Sequence, residues 1–157
     1  MFRSERGAIF NDNRTERYVL WNIWQVHAPL VLFIGLNPST ADECADDPTT
    51  KRLYHHACKW GFGGLVVMNC FSTIEKYPKN LKYCGHWATN LLYLDKVEPF
   101  CDEVVFMWGR SELVKKLGRD VFFKNRFKNA KQMGSNMDGS PKHPLYLPYS
   151  VQLIDFE

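Results

Sequence analysis

Short apolar runs recur along the chain and predict buried β-strands. The clearest are residues 29–35, 65–68 and 103–108, and a weaker run lies near residues 130–133. Nearly continuous apolar runs of this length are typical of parallel strands that are covered on both faces. The earlier segment 17–24 is rich in strand-forming residues and is predicted to be an edge strand or a hairpin arm.

Helical patterns separate these runs. Residues 48–60 have apolar side chains at helical spacing, and Asp47-Pro48 provides an N-cap followed by proline at the first helical position. Further helices are predicted over residues 86–97 and, capped by Ser111, through Leu117.

Alternation of strands and helices predicts the α/β class. We expect a three-layer α/β/α sandwich with a central, mainly parallel four-stranded sheet. No repeat, low-complexity tract or linker-like stretch interrupts the 157 residues, so residues 1–157 are predicted to form one domain.

Composition and charge narrow the class of protein. The chain is 45% hydrophobic with a net charge of +3, which suits a packed core and is compatible with nucleic-acid binding without requiring it. The five scattered cysteines (Cys44, Cys58, Cys70, Cys84 and Cys101) form no CxxC pair, so we expect neither a metal cluster nor a cofactor. The absence of a signal-like or membrane-length apolar segment indicates a cytoplasmic protein without membrane contact.

Polar residues follow the predicted strands at the ends where parallel sheets bind ligands. Asn37, Asn69, Gly109 and His143 follow the four apolar runs in turn. Because the carboxyl ends of parallel strands share one edge of the sheet, these residues are expected to converge on one site.

The loop after the first run is the most informative stretch. Asn37 can position a water molecule for attack on a carbon, with Asp42 as a candidate general base. An ordinary turn, in which Asn37 bonds its own backbone, explains the same residues equally well. Asp46 and Asp47 are interpreted as the start of a helix. The residues of this loop expected to contact the substrate are Gly35, Leu36, Pro38 and Ser39.

Three later residues extend the predicted site. The amide of Asn69 can pair with the edge of a pyrimidine, which alternates N–H and C=O groups. Phe71 can stack on a base, although a place in the core is the more ordinary role for it. His143, held before Pro144, can donate a hydrogen bond to a developing oxyanion on a leaving base, so we count it with Asn37 and Asp42 as catalytic.

Four other residues are candidate phosphate or DNA contacts: Lys51, Arg52, Ser140 and Lys142. The stretch 115–131 interleaves basic and aromatic residues, as a surface that faces nucleic acid can, but a solvated amphipathic element is the commoner explanation.

Together these motifs carry a resemblance. The ordered set GLNPSTADE, DDPTTKR, the strand that ends in Asn69, FMWGR and GSPKHPLYLP resembles a phage and bacterial domain family of unknown function over roughly residues 17–148. That family is itself similar to the uracil-DNA glycosylase superfamily. Asn37 resembles the amide of the first motif in the mismatch-specific thymine/uracil branch, and His143-Pro144 resembles the histidine-proline of the second motif.

The resemblance implies an enzyme that acts without a cofactor on a flipped-out pyrimidine base in DNA. Asn69 then reads the base, and His143 supports the leaving base. Leu145 stands where the superfamily places a serine, which puts the minor-groove wedge loop in doubt.

Three functions stay open at this point. The first is an enzyme that works at the N-glycosidic bond or the base of a pyrimidine, with DNA as its partner. The second is a nucleic-acid-binding or nucleotide-binding module without catalysis, and the third is an enzyme that acts on free pyrimidine nucleotides.

Overall fold

The computed structural model describes residue 2 and residues 5–82 and 85–157. Within these residues the chain forms seven strands and four α-helices. The strands are β1 (Arg6–Phe10), β2 (Arg17–Ile23), β3 (Leu30–Gly35), β4 (Gly64–Asn69), β5 (Glu103–Phe106), β6 (Lys131–Gln132) and β7 (Ile154–Asp155). The helices are α1 (Pro48–Lys59), α2 (Trp87–Val97), α3 (Glu112–Lys116) and α4 (Arg119–Arg126).

All seven strands form one mixed sheet, in the order β1-β2-β4-β3-β5-β6-β7. The predicted parallel strands are its centre, β4-β3-β5-β6. The sheet is wider than the predicted four strands because a β1–β2 hairpin pairs antiparallel with β4 and β7 pairs antiparallel with β6. The α/β class is therefore confirmed, and β2 is a hairpin arm that lies inside the sheet.

The central strand β3 contributes to a core on each face of the sheet. Leu32 and Ile34 belong to one apolar cluster, while Val31 and Phe33 belong to the other, as the period-2 alternation of strand side chains requires. All four side chains are fully buried. This two-sided burial explains why the strand reads as a continuous apolar run.

Helices supply the other side of each core. Leu94 of α2 and Phe123 of α4 pack in the cluster with Leu32, whereas Leu53 and Ala57 of α1 pack in the cluster with Val31. None of the helices in the described ranges is both long and apolar enough to cross a membrane.

The predicted helix starts are confirmed. Asp47 caps α1, its side chain accepts from the backbone N–H of Thr50 at 2.8 Å, and Thr50 completes a capping box. Ser111 caps α3 by accepting from Val114 N–H. The basic, aromatic stretch after residue 115 contains α4, whose first residue, Arg119, is buried.

Of the cysteines, Cys70 is buried, Cys101 is half-buried, and both Cys44 and Cys58 are exposed, all with free thiols. Cys84 lies outside the described residues.

Candidate functional site

A cavity of about 650 Å³ opens at the carboxyl ends of the central strands. It lies where β3 has β4 on one side and β5 on the other, which is the switch point at which open α/β sheets bind ligands. The structure brings six of the predicted site residues together in its wall: Gly35, Leu36, Asn37, Ser39, Asn69 and His143.

Gly35 and Asn69 form the floor of this cavity. They end β3 and β4 and are paired in the parallel register. A Cβ atom on residue 35 would lie 2.7 Å from Asn69 Oδ1, so only glycine leaves room for the asparagine side chain.

Asn69 presents an unused amide donor at this floor. Its side chain is only 5% exposed, and Nδ2 has no hydrogen-bond partner. Its main-chain oxygen accepts from Asn90 Nδ2 at 2.9 Å, which holds the end of β4 in place. A buried donor without an acceptor is costly, which makes Asn69 Nδ2 a candidate for a hydrogen bond with a bound group.

Asn37 lines the cavity, but its amide nitrogen serves the surrounding loops. Nδ2 donates to the main-chain oxygens of Pro38, Thr73 and Glu75 at 2.9, 3.2 and 2.9 Å. These bonds tie the loop after β3 to the loop after β4. Only the bond to Pro38 is local to the turn, because the other two acceptors belong to a distant segment of the chain.

His143 stands at the other side of the cavity, beside the end of β5. The main-chain N–H of Gly109 donates to Pro141 at 2.9 Å, which positions the loop that carries the histidine. Nδ1 accepts from Leu145 N–H at 3.2 Å, so in the neutral ring the proton is on Nε2. Desolvation by the surrounding protein lowers the pKa of His143, and the charge of Asp47 opposes this effect.

Asp42 lies outside the cavity wall. Its Oδ1 accepts from the N–H groups of Cys44 and Ala45, both at 2.8 Å. These backbone hydrogen bonds, followed by the nearby charge of Arg14, lower the pKa of Asp42. A carboxylate stabilised in this way is a weak base, and it is directed at its own turn.

Two predicted substrate contacts also lie outside the wall. Phe71 is 2% exposed and belongs to the core, where the Arg119 guanidinium lies 5.0 Å from its ring centroid. Pro38 is buried and its oxygen accepts from Asn37 Nδ2 and from Glu75 N–H.

The four predicted phosphate contacts are likewise absent from the cavity wall. Lys51 is exposed on α1, and Arg52 donates to the oxygen of Leu147 at 2.6 Å. Ser140 is buried, and its hydroxyl lies 2.5 Å from an oxygen of Asp138 within the same turn. The Lys142 side chain lies over Gly134.

The structure adds two buried charged residues that the sequence patterns did not single out as site residues. Arg17, the first residue of β2, and Asp47, the cap of α1, both line the cavity. Burial lowers the pKa of Arg17 to about 10, with Asp47 and Asp42 opposing the effect, so its guanidinium stays charged at neutral pH. The available signal was an arginine directly before four apolar or aromatic residues, 18–21, of a predicted strand.

The described residues contain no group of three or more His, Cys, Asp or Glu side chains that could hold a metal ion.

Residues 17–145 match the profile of a family described as "Protein of unknown function (DUF1643)". The chain belongs to the DUF1643 family. The matched region includes Arg17, Asn37, Asp47, Asn69 and His143, so the match covers every residue of the cavity wall except Tyr146. A comparison with curated proteins and one with solved structures gave no match.

Proposed function

We propose that the cavity binds a pyrimidine base and that the protein hydrolyses the N-glycosidic bond of a pyrimidine nucleotide, as DNA glycosylases do. The observation that carries this proposal is the buried Asn69 amide with its unpartnered Nδ2. Uracil and thymine present an O4 acceptor beside an N3–H donor. An amide offers the complementary donor and acceptor in one side chain.

A three-layer arrangement related to uracil-DNA glycosylases is part of the same proposal. It is supported by four parallel central strands, by helices that pack in the cores on both faces, and by a cavity at the carboxyl edge.

Asp47 and His143 are the groups that we assign to the reaction. A water oxygen bonds to C1′ of the sugar while the C1′–N1 bond breaks and its electron pair moves onto the base. The base anion accepts a hydrogen bond from Nε2–H of neutral His143. Asp47, the only aspartate of the described residues in the cavity wall, takes the water proton, and the base is protonated on release.

This assignment replaces Asp42 by Asp47 as the base and leaves Asn37 a positioning role. Asn37 already uses its amide nitrogen on three main-chain oxygens. Asp42 lies outside the cavity wall, whereas Asp47 lines the cavity and lies close enough to His143 to influence the pKa of that histidine.

The test is release of free base from short DNA that carries uracil, a thymine mismatch or hydroxymethyluracil, and from the corresponding free nucleotides, followed by chromatography. Asn69→Ala is expected to lose release on every substrate. Asn69→Asp should favour cytosine over uracil, because a carboxylate accepts from the exocyclic amine of cytosine. Lys96→Ala, on the exposed face of α2 and outside the cavity wall, is the matched control and should behave as wild type.

A second candidate is a binding module without turnover. It is favoured by the hydrogen bonds that occupy the Asn37 and Asp42 side chains. Under this alternative, uracil-containing ligands bind in an Asn69-dependent way and no base is released. Binding that is unchanged in Asn69→Ala would rule out both candidates.

A further inference from the structure

Arg17 places a buried positive charge in the cavity wall. The residue is 3% exposed, Nη1 donates to the oxygen of Ala41 at 2.7 Å, and Nε has no hydrogen-bond partner. A guanidinium has five N–H donors, and an internal one with an unused donor is costly unless an anionic group occupies the adjacent space. The cavity is the space that Arg17 borders.

Arg17 lies at the opposite end of the cavity from His143. The sheet order is β2-β4-β3-β5, so the strand ends line up as Arg17, Asn69, Gly35 and then Gly109 beside His143. Adjacent strands are about 4.8 Å apart, which puts roughly 14 Å between the two outer strands. That span suits a ligand longer than a base alone, with the base at Asn69 and an anionic group near Arg17.

The first turn of α1 borders the same end. Pro48 has no N–H, and the N–H of Thr50 is used by Asp47. The N–H of Thr49, which lines the cavity, therefore remains as a first-turn donor without an intrahelical acceptor. The positive end of this 12-residue helix adds to the charge of Arg17.

Asp47 is the opposing charge at this end. Its Oδ1 is occupied by Thr50 N–H and by the Thr50 hydroxyl, at 2.8 and 3.0 Å. Lys76 and Arg110 also line the cavity, as does Glu75, so cationic side chains outnumber carboxylates in its wall by one. The balance favours an anionic ligand.

The burial of Arg17 restricts the kind of phosphate that can reach it. A terminal phosphate monoester can enter the cavity whole. A phosphodiester within a DNA strand would need an exit for the chain on each side of a guanidinium that is 3% exposed.

We propose that Arg17 and the first turn of α1 form a phosphate subsite, and that the ligand is a pyrimidine nucleoside monophosphate whose base lies at Asn69. This inference rests on the proposed base recognition and adds the phosphate and its terminal position. The source of the monophosphate is the free nucleotide or the end of a DNA strand.

The test measures binding of four probes by calorimetry: deoxyuridine, its 5′-monophosphate, its 3′-monophosphate, and a uracil-containing oligonucleotide with uracil in the interior. A charged hydrogen bond to phosphate predicts that at least one monophosphate binds about tenfold or more tightly than the nucleoside. A fifth probe, an oligonucleotide that ends in a uridylate with a terminal phosphate, distinguishes the two sources of the monophosphate. It binds as tightly as the free monophosphate if the source is a DNA end.

Arg17→Met should reduce the advantage of the monophosphate to about threefold or less and leave deoxyuridine binding unchanged. Arg17→Lys keeps the positive charge and should keep part of the tighter binding of the monophosphate. This variant replaces Arg17→Met in the test if the methionine variant fails to fold. The matched control is Arg119→Met, which removes another buried arginine that does not line the cavity and should leave the ratio unchanged.

Each outcome separates this inference from the proposed function. If the wild type binds deoxyuridine and both monophosphates equally tightly, the phosphate subsite is overturned. If deoxyuridine binding in that case still depends on Asn69, the proposed base site stands. Tightest binding of the interior-uracil oligonucleotide, independent of Arg17, also overturns it. An Arg17-dependent phosphate advantage with no effect of Asn69→Ala supports the subsite and contradicts the base assignment. Failure of the protein to bind any probe overturns both.

Discussion

Two buried arginines lie near the chain segment that follows β4, and they differ in what covers them. Arg17 is 3% exposed and Arg119 is 5% exposed, and each donates from Nη1 to a main-chain oxygen at 2.7 Å. The acceptors are Ala41 for Arg17 and Cys70 for Arg119. The guanidinium of Arg119 lies 3.6 Å from the ring centroid of Trp87 and 5.0 Å from that of Phe71. Arg17 borders the cavity instead.

The difference shows how one residue type can serve structure in one place and binding in another. Aromatic faces stabilise the charge of Arg119 through cation–π attraction, so its burial contributes to the fold. Arg17 has no aromatic cover of this kind in the described contacts, and its Nε has no acceptor. The charge of Arg17, buried without a full set of partners, therefore contributes little to the stability of the ligand-free protein and is available to bind a ligand.

The largest expected effect is the loss of stability when the covered arginine is removed. Arg119→Met should lower the free energy of unfolding by about 3 kcal/mol, because it removes a charged hydrogen bond and a desolvated cation–π contact. Arg17→Met should cost only about 1 kcal/mol, since its surroundings contribute less. Urea denaturation measures both values. Equal losses in the two variants would contradict the division of roles.

A smaller effect is expected at Asp47, the carboxylate whose charge acts on Arg17. Asp47→Ala removes the N-cap of α1 and should cost about 1.5 kcal/mol. Asparagine also caps helices, so Asp47→Asn should cost about 0.5 kcal/mol, chiefly through the lost charge at the helix start. Thermal or urea unfolding of the two variants provides the comparison. A loss in Asp47→Asn as large as in Asp47→Ala would show that the charge, and not the cap, holds this end of the cavity.

The smallest expected effect is a titration shift at His143. Its pKa should lie below the ordinary histidine value of 6.5, because desolvation outweighs the charge of Asp47. NMR of the imidazole signals should also show a further decrease in Asp47→Asn. Because the folded pKa is the lower one, the histidine makes the protein less stable as the pH falls below about 6.5. A folded pKa above 6.5 would mean that Asp47 dominates and would contradict a neutral donor at this position.

Much of the fold could be predicted because its signals are local. The apolar runs marked the four parallel strands, and Asp47-Pro48 and Ser111 marked helix starts that the structure confirms. The additional strands were harder to predict. β7 has two residues, and the hairpin of β1 and β2 joins the sheet through pairing with a strand more than forty residues later in the chain.

Gly35 and Asn69 entered the cavity as predicted because they end two strands that finish at the same edge of the sheet. His143 entered it because its loop is held beside the end of β5. Phe71 and Ser140 did not, although the sequence places them close to these residues. Phe71 points into the core, and Ser140 is used inside its own turn. Nearness in sequence does not determine which way a loop side chain points.

By itself, the sequence determined the class of the fold and the row of polar residues at the carboxyl ends of the parallel strands, because burial on two faces leaves a readable pattern. Only the tertiary structure decided that Arg17 belongs to the same row. β2 runs antiparallel to β4, so its first residue, and not its last, lies at the edge where the parallel strands end. Strand direction depends on pairing between distant segments, and apolar periodicity is the same in either direction.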